Sequence, residues 1–173
     1  MKKFMKVLSF ILIACSILVL PLTSVSAASN ISEGNGNDIV DIAVKDGRFT
    51  TLVSALKAAD LVDALKEKGP FTVFAPTDDA FNKLPSKTLE DLLKPENKDT
   101  LKDILLYHVT KGDICSKKIV KFNGKTIPML NNKDVKVSVK DGEVYINDSK
   151  VIITDIKADN GIIHVIDTVL IPQ

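Results

Sequence analysis

The side chains in this sequence able to move protons, bind metals or attack carbonyls are few. They are two histidines (His108 and His164), two cysteines (Cys15 and Cys115) and a scatter of Ser and Asp. A zinc centre needs several His or Cys donors at defined spacing, and the chain has no paired-Cys motif to supplement its two histidines. Asp78-Asp79 is an acidic pair, but the alternating acids of a calcium loop do not follow it, so it reads as helix-start acids. A Ser–His–Asp set needs its nucleophile on a recognisable elbow, and no such motif is present. Phosphate-binding loops and dinucleotide fingerprints are absent too. His108 extends the apolar series Leu101, Ile104, Leu105, and His164 alternates with Ile162 and Ile166. Both read as core histidines, His108 satisfied by one internal hydrogen bond. Cys115 reads as a small buried hydrophobe. No catalytic residue, cofactor or metal is expected.

The elements that must hold these residues begin after an address segment. Met1–Lys6 carries three lysines, Val7–Leu22 is an uncharged apolar run, and Thr23–Ala28 is small and polar. That order is a secretory signal peptide, with cleavage expected after Ala27. The run is shorter than the roughly 20 residues of a membrane span. Leu12–Cys15 resembles a lipoprotein site, but Ile17–Leu22 would then follow the lipidated Cys15 as an apolar stub. Removing residues 1–27 leaves 146 of 173 residues, with 20 basic and 22 acidic side chains, a net charge of −2, and Cys115 as the single thiol. That balance argues against a nucleic-acid binder, and one thiol excludes an internal disulfide. Packing alone must hold the exported domain. Residues 28–36 form a polar, glycine-containing leader, and residues 37–172 form the domain.

Apolar spacing places helices in the first half. Asp38 opens one that Asp46-Gly47 breaks. Thr50 or Thr51 caps the next, where Leu52, Ala55, Leu56 and Ala59 share a face. Asp60 recaps a third, which Gly69-Pro70 stops. Phe71–Pro76 reads as a strand, Thr77 as a helix cap, Pro85-Ser86 as the start of a helix ending at Pro95, and Asn97 as the cap of a helix reaching Gly112. The period then changes to two. Asp141-Gly142 is a two-residue hairpin turn whose register pairs Lys140 with Glu143, Val139 with Val144 and Val137 with Ile146. Val151–Ile153 is a further strand, and Ile162–Ile171 a final one, apolar on both faces and therefore central. Asp167 is expected beside a loop N–H or a basic side chain. The fold class is α+β, helices first and mostly antiparallel strands after.

Three segments now stand out together: Gly69–Phe81 (GPFTVFAPTDDAF), Leu105–Val109 (LLYHV) and Asn160–Pro172 (NGIIHVIDTVLIP). In this order and at these separations they resemble the signatures of the fasciclin (FAS1) domain family, over nearly all of the exported chain. The resemblance implies a wedge or sandwich of mostly antiparallel strands with several packed helices. It implies a secreted, non-catalytic module for cell adhesion or matrix contact. It also implies integrin-type contact residues at an Asp-Ile pair and a Tyr-His pair, which here are Asp103, Ile104, Tyr107 and His108.

Ile104 and His108 belong to the apolar stripe of their helix, so they are packing residues first. The expected partner is an extracellular protein or glycan, with self-association as a route to avidity. No nucleic acid and no membrane anchor are expected after signal cleavage. No wall-sorting or glycolipid tail is visible before Gln173. The alternative function is a soluble ligand- or glycan-binding protein that uses a surface groove of the same domain.

Overall fold

A computed structural model describes residues 36–172. The expected signal peptide and cleavage site, Cys15 and all of the expected leader except Gly36 lie outside the described residues. From Asn37 the chain is tied down: Asn37 N donates to Asp159 Oδ2 (3.0 Å), and Asp159 N returns a bond to Asn37 O (2.9 Å).

Helices come first. Helix α1 (Ile39–Asp46) has Asp38 as its cap, accepting from Asp41 N, and ends on the left-handed Gly47. Helices α2 (Thr50–Ala58) and α3 (Val62–Lys66) follow. Strand β1 (Phe71–Pro76) leads into α4 (Asp78–Asn82), whose cap Thr77 accepts from Ala80 N. Helix α5 (Ser86–Leu92) and a short 3-10 turn then precede α6 (Lys98–Leu106). Strand β2 (Val109–Lys111), α7 (Ser116–Ile119) and five further strands complete the chain: β3 (Thr126–Pro128), β4 (Asp134–Lys140), β5 (Glu143–Ile146), β6 (Ser149–Ala158) and β7 (Gly161–Ile166).

The seven strands form one sheet in the order β2-β1-β7-β6-β5-β4-β3. Only the β1–β7 pair is parallel. The hairpin register is the expected one: Lys140 faces Glu143, Val139 faces Val144 and Val137 faces Ile146. Asp141 (φ 53°) and Gly142 (φ 80°) both take the left-handed conformation that this turn requires. Strand β7 is central, its residues buried from Ile162 to Ile166 because helices and strands cover both faces. The β1–β7 contact is tight. A Cβ on Gly161 would lie 2.0 Å from the Phe71 carbonyl oxygen.

The sheet nearly closes on itself. Leu130 N, just past β3, donates to Val109 O on β2 (2.8 Å), and Thr110 Oγ1 donates to Pro128 O (2.6 Å). The outer edge of β2 is thereby covered, and β3 is three residues long and contains Pro128. Both features blunt a sheet edge against pairing with other chains. Two apolar clusters fill the domain. The larger lies between the helices and β1/β7; the smaller, around Phe74, Tyr107, Ile119 and Val137, lies inside the hairpin lobe.

Several expectations are corrected. Helix α6 stops at Leu106, and Val109–Lys111 is strand β2 pairing with β1, because the backbone turns at Tyr107 toward the sheet edge. Thr50, Asp60 and Asn97 do not cap their helices with their side chains. Asp60 has φ 53° and its carboxylate pairs with Lys98, while Asn97 Nδ2 donates to Asp91 O. The last strand ends at Ile166, not Ile171, and β6 runs on to Ala158. Cys115 is half-buried, at the start of α7, rather than fully buried.

Candidate functional site

The Tyr-His segment sits where the two apolar clusters meet. As α6 ends, Tyr107 enters the hairpin-lobe core while Ile104 stays in the helical one. Ile104, Tyr107 and His108 are 8%, 5% and 2% exposed, whereas the Asp103 side chain is 43% exposed. The four expected contact residues therefore divide: three pack inside and one faces outward.

His108 uses both ring nitrogens. Nδ1 lies 2.8 Å from Ile104 O, and Nε2 accepts from Leu170 N at 3.0 Å. A carbonyl can only accept and an N–H can only donate, so the ring is held neutral with its proton on Nδ1. Burial pushes its pKa down to about 4, against an opposing pull from the Ile104 carbonyl. The sequence implied one bond; the second, to Leu170, joins α6 to the C-terminal segment. Tyr107 donates its hydroxyl to Asp134 O (2.8 Å) and accepts from Asn147 Nδ2 (3.1 Å), linking α6 to the hairpin lobe. Asp103 receives Asn131 Nδ2 (3.2 Å) and lies 3.7 Å from Lys133 Nζ.

The other polar residues of the three segments are also long-range ties. The Asp78 carboxylate accepts from Thr50 N (3.2 Å), Thr50 Oγ1 (2.7 Å) and Thr51 N (2.8 Å), so it caps α2, 28 residues earlier. Burial alone would raise its pKa, but these bonds outweigh that and hold it below the ordinary value. Asn160 accepts from Ile39 N (3.0 Å) and donates to Leu65 O (2.7 Å), joining the start of α1 to the end of α3. Asp167 pairs with Lys83 (3.1 Å), the basic side chain anticipated for it, and accepts from Lys150 N (2.9 Å), an N–H of strand β6 rather than of a loop.

One cluster has the residue types of a hydrolase: Ser116, Asp155 and His164. Its connectivity is different. The Ser116 hydroxyl and N–H both donate to the Asp155 carboxylate, while His164 Nε2 is 2.7 Å from Ile114 O. The imidazole does not reach the hydroxyl, and the Asp155 carboxylate does not orient it; only Asp155 N approaches Nδ1, at 3.4 Å. A general base must reach the proton it removes, so the cluster is a cap on α7. Burial would raise the Asp155 pKa, but the two Ser116 bonds hold it down. Asp155 has φ 62° at an irregularity of β6, a conformation that Asp tolerates better than most residues. Sequence reading missed this cap; its one trace is an Asp inside an otherwise β-branched run. Among the described residues, no three His, Cys, Asp or Glu side chains cluster to hold a metal.

What remains open is a groove of about 960 Å³. Its lining carries the neutral groups of Tyr107, Thr126, Ser138 and Asn147, the bases Lys133, Lys136 and Lys140, and the acids Asp134 and Asp148. A second depression of about 680 Å³, between Lys66–Pro70 and Lys157–Ile162, mixes acids and bases.

A family model described as the fasciclin domain matches residues 47–172. This chain belongs to the fasciclin-domain family. It is 47% identical over 134 residues to Protein sll1483 of Synechocystis sp., spanning 78% of this chain and 73% of that protein. It is 36% identical over 130 residues to human periostin, spanning 74% of this chain but 15% of that much longer protein. A solved FAS1 domain pair, from the insect cell adhesion molecule fasciclin I, superposes with a TM-score of 0.70 at 24% identity. That match covers 79% of this chain and 51% of the solved one, and it shows a shared fold. Each of the three fasciclin segments thus contributes ties between distant elements: Asp78 in the first, Tyr107 and His108 in the second, Asn160, His164 and Asp167 in the third.

Proposed function

We propose that this fasciclin-domain protein is exported on a signal peptide at residues 1–27, with residues 28–36 as leader and 37–172 as the working domain. Outside the cell it acts as a non-catalytic adhesion module that contacts an extracellular protein or glycan. The observation that carries this reading is the division within the Tyr-His site. Ile104, Tyr107 and His108 are buried and satisfied, so they act as scaffold, and Asp103 is the member whose side chain, though bonded to Asn131 and Lys133, is exposed to a partner. Supporting it, the solved FAS1 pair comes from a cell adhesion molecule. No helix among the described residues is long and apolar enough to cross a membrane. Self-association by edge-strand pairing is disfavoured by the covered edge of β2, so avidity comes from other surfaces.

The test is an adhesion assay with purified protein on immobilised matrix proteins and on cells, comparing wild type with Asp103→Ala. Loss of adhesion with an unchanged melting temperature supports a contact role for Asp103. A folded protein that adheres to nothing refutes the adhesion reading. Mass spectrometry of the exported protein tests the leader: an N-terminus at Ala28 is expected, and a lipid on Cys15 overturns free secretion. The second reading, glycan binding in a groove, is favoured by the polar lining beside Tyr107.

A further inference from the structure

The groove beside Tyr107 combines two properties that together narrow what fits it. The first is charge. Between Ile114 and Lys140 the chain carries seven lysines and a single acid, Asp134. Lys136 and Lys140 project from the outer face of β4, alternating with the inward Val135, Val137 and Val139. At about 3.3 Å per residue their attachment points are roughly 13 Å apart along the groove.

Two carboxylates, Asp134 and Asp148, share the lining with the lysines. Asp134 accepts from Thr126 Oγ1 (3.3 Å). Glu143, the register partner of Lys140, is taken by Lys150 Nζ (2.5 Å) and the Tyr145 hydroxyl (3.0 Å). Lys140 rests instead over the Tyr145 ring, 5.8 Å from its centre. Among the described residues, neither Lys136 nor Lys140 has a carboxylate within salt-bridge distance, and Lys133 meets Asp103 only at 3.7 Å. The lining thus carries three ammonium groups against two carboxylates, a net positive charge, with Lys136 and Lys140 outside any ion pair among the described residues.

The second property is the neutral part of the lining. The hydroxyls of Tyr107, Thr126 and Thr168 donate inside the protein, and their oxygens, with Ser138, keep acceptor lone pairs for the hydroxyl donors of a polyhydroxylated chain. Single-stranded nucleic acid would need exposed aromatic faces on which to stack. Here the Tyr107 ring is buried and the Tyr145 ring is overlaid by Lys140.

We infer that this groove binds a linear polysaccharide carrying repeated negative charges. The inference rests on the reading of the domain as an extracellular binding module and names one class of partner for it. Acidic groups along the glycan meet Lys133, Lys136 and Lys140, and its hydroxyls meet the neutral polar groups between them. Contacts of this kind are screened by salt, so binding weakens steeply as ionic strength rises.

The test uses the purified protein on immobilised polygalacturonate (carboxylate), dextran sulfate (sulfate ester) and neutral dextran, with poly-glutamate and oligo-dT as competing polyanions. Binding to at least one anionic glycan, none to dextran, and roughly tenfold weaker binding by the K136Q/K140Q double variant are expected. A K57Q/K87Q control removes the same charge from the helical side, where both lysines are exposed; it is expected to change binding less than twofold. Thermal unfolding of both variants should match wild type.

Equal binding by K136Q/K140Q, equal losses in the two double variants, or binding to dextran overturns the inference. Tighter binding of poly-glutamate or oligo-dT than of either glycan replaces the partner class. A protein that ignores both anionic glycans yet adheres to matrix proteins loses this inference and keeps the adhesive reading. The converse result keeps the groove and removes protein adhesion.

Discussion

Acidifying the protein from pH 7 to pH 5 should weaken it through His108. The ring is buried, its Nε2 accepts from Leu170 N, and its pKa is pushed down to about 4. In the unfolded chain an ordinary histidine titrates near 6.5. The folded value lies below the unfolded one, so the unfolded state binds the extra proton between those limits. Stability from this group is then complete above about pH 6.5 and falls as pH drops toward 4. Integrated from pH 7 to pH 5, the single group accounts for a loss of about 2 kcal/mol, or a fall of roughly 4–8 °C in melting temperature for a domain of this size. His164, also lowered by burial, adds in the same direction. The depressed carboxylates Asp78, Asp155 and Asp167 contribute little in this window, because their unfolded forms titrate near pH 4. The assay is urea unfolding at pH 7, 6 and 5 for wild type and His108→Gln. The variant should be weaker at pH 7, since one or both of Ile104 O and Leu170 N lose their partner, and should show a shallower pH slope. If wild type is equally stable at pH 5 and pH 7, the ring is not held neutral in the fold. A rise in stability toward pH 5 would mean that it is charged there.

Other outcomes follow from single contacts. Asp78→Ala should cost about 1–2 kcal/mol by uncapping α2, while Asp79→Ala at the exposed neighbouring position should cost under about 0.5 kcal/mol; equal effects in urea melts would disprove the cap. Gly161→Ala should exceed the roughly 1–3 kcal/mol of ordinary overpacking, because its new Cβ meets Phe71 backbone at 2.0 Å; soluble protein with wild-type thermal unfolding would contradict that. Tyr107→Phe should lose about 1 kcal/mol, through the bonds to Asp134 and Asn147, and hydrogen exchange at the hairpin lobe should quicken.

Local rules were readable from the sequence wherever the partner lay a few residues away. The Asp141-Gly142 turn fixes both left-handed residues, and every pair of the β4–β5 register follows from it. Asp38 caps its own helix, as does Thr77. The reading failed where the partner was distant. Asp78 reads as an acid of the helix it begins, yet its carboxylate serves Thr50 and Thr51, which the strand β1 brings beside it. His108 continued the spacing of Leu101 and Leu105, so the helix was extended through Val109–Lys111, whose three residues are instead held by pairing with β1. The expected contact set was legible as residues but not as surface. Periodicity marked Ile104 and His108 as packing residues, while the burial of the Tyr107 ring depends on a lobe formed some thirty residues later. The groove was invisible for the same reason, since α6, β4 and the C-terminal segment supply its walls.

The placement of β7 between β1 and β6 also governs when the domain can form. Its register partners on β1 lie ninety residues earlier, Phe71 against Gly161 through Pro76 against Ile166. Closing a loop of that length is entropically costly and slows folding relative to local contacts. Until Gly161–Ile166 arrives, β1 lacks its β7 partner and meets the hairpin strands only through the contacts of β2 beside β3, and His108 lacks the Leu170 N–H that anchors it. The central pairing of the sheet is therefore among the last to form, and β1 keeps one edge without a partner until β7 is made.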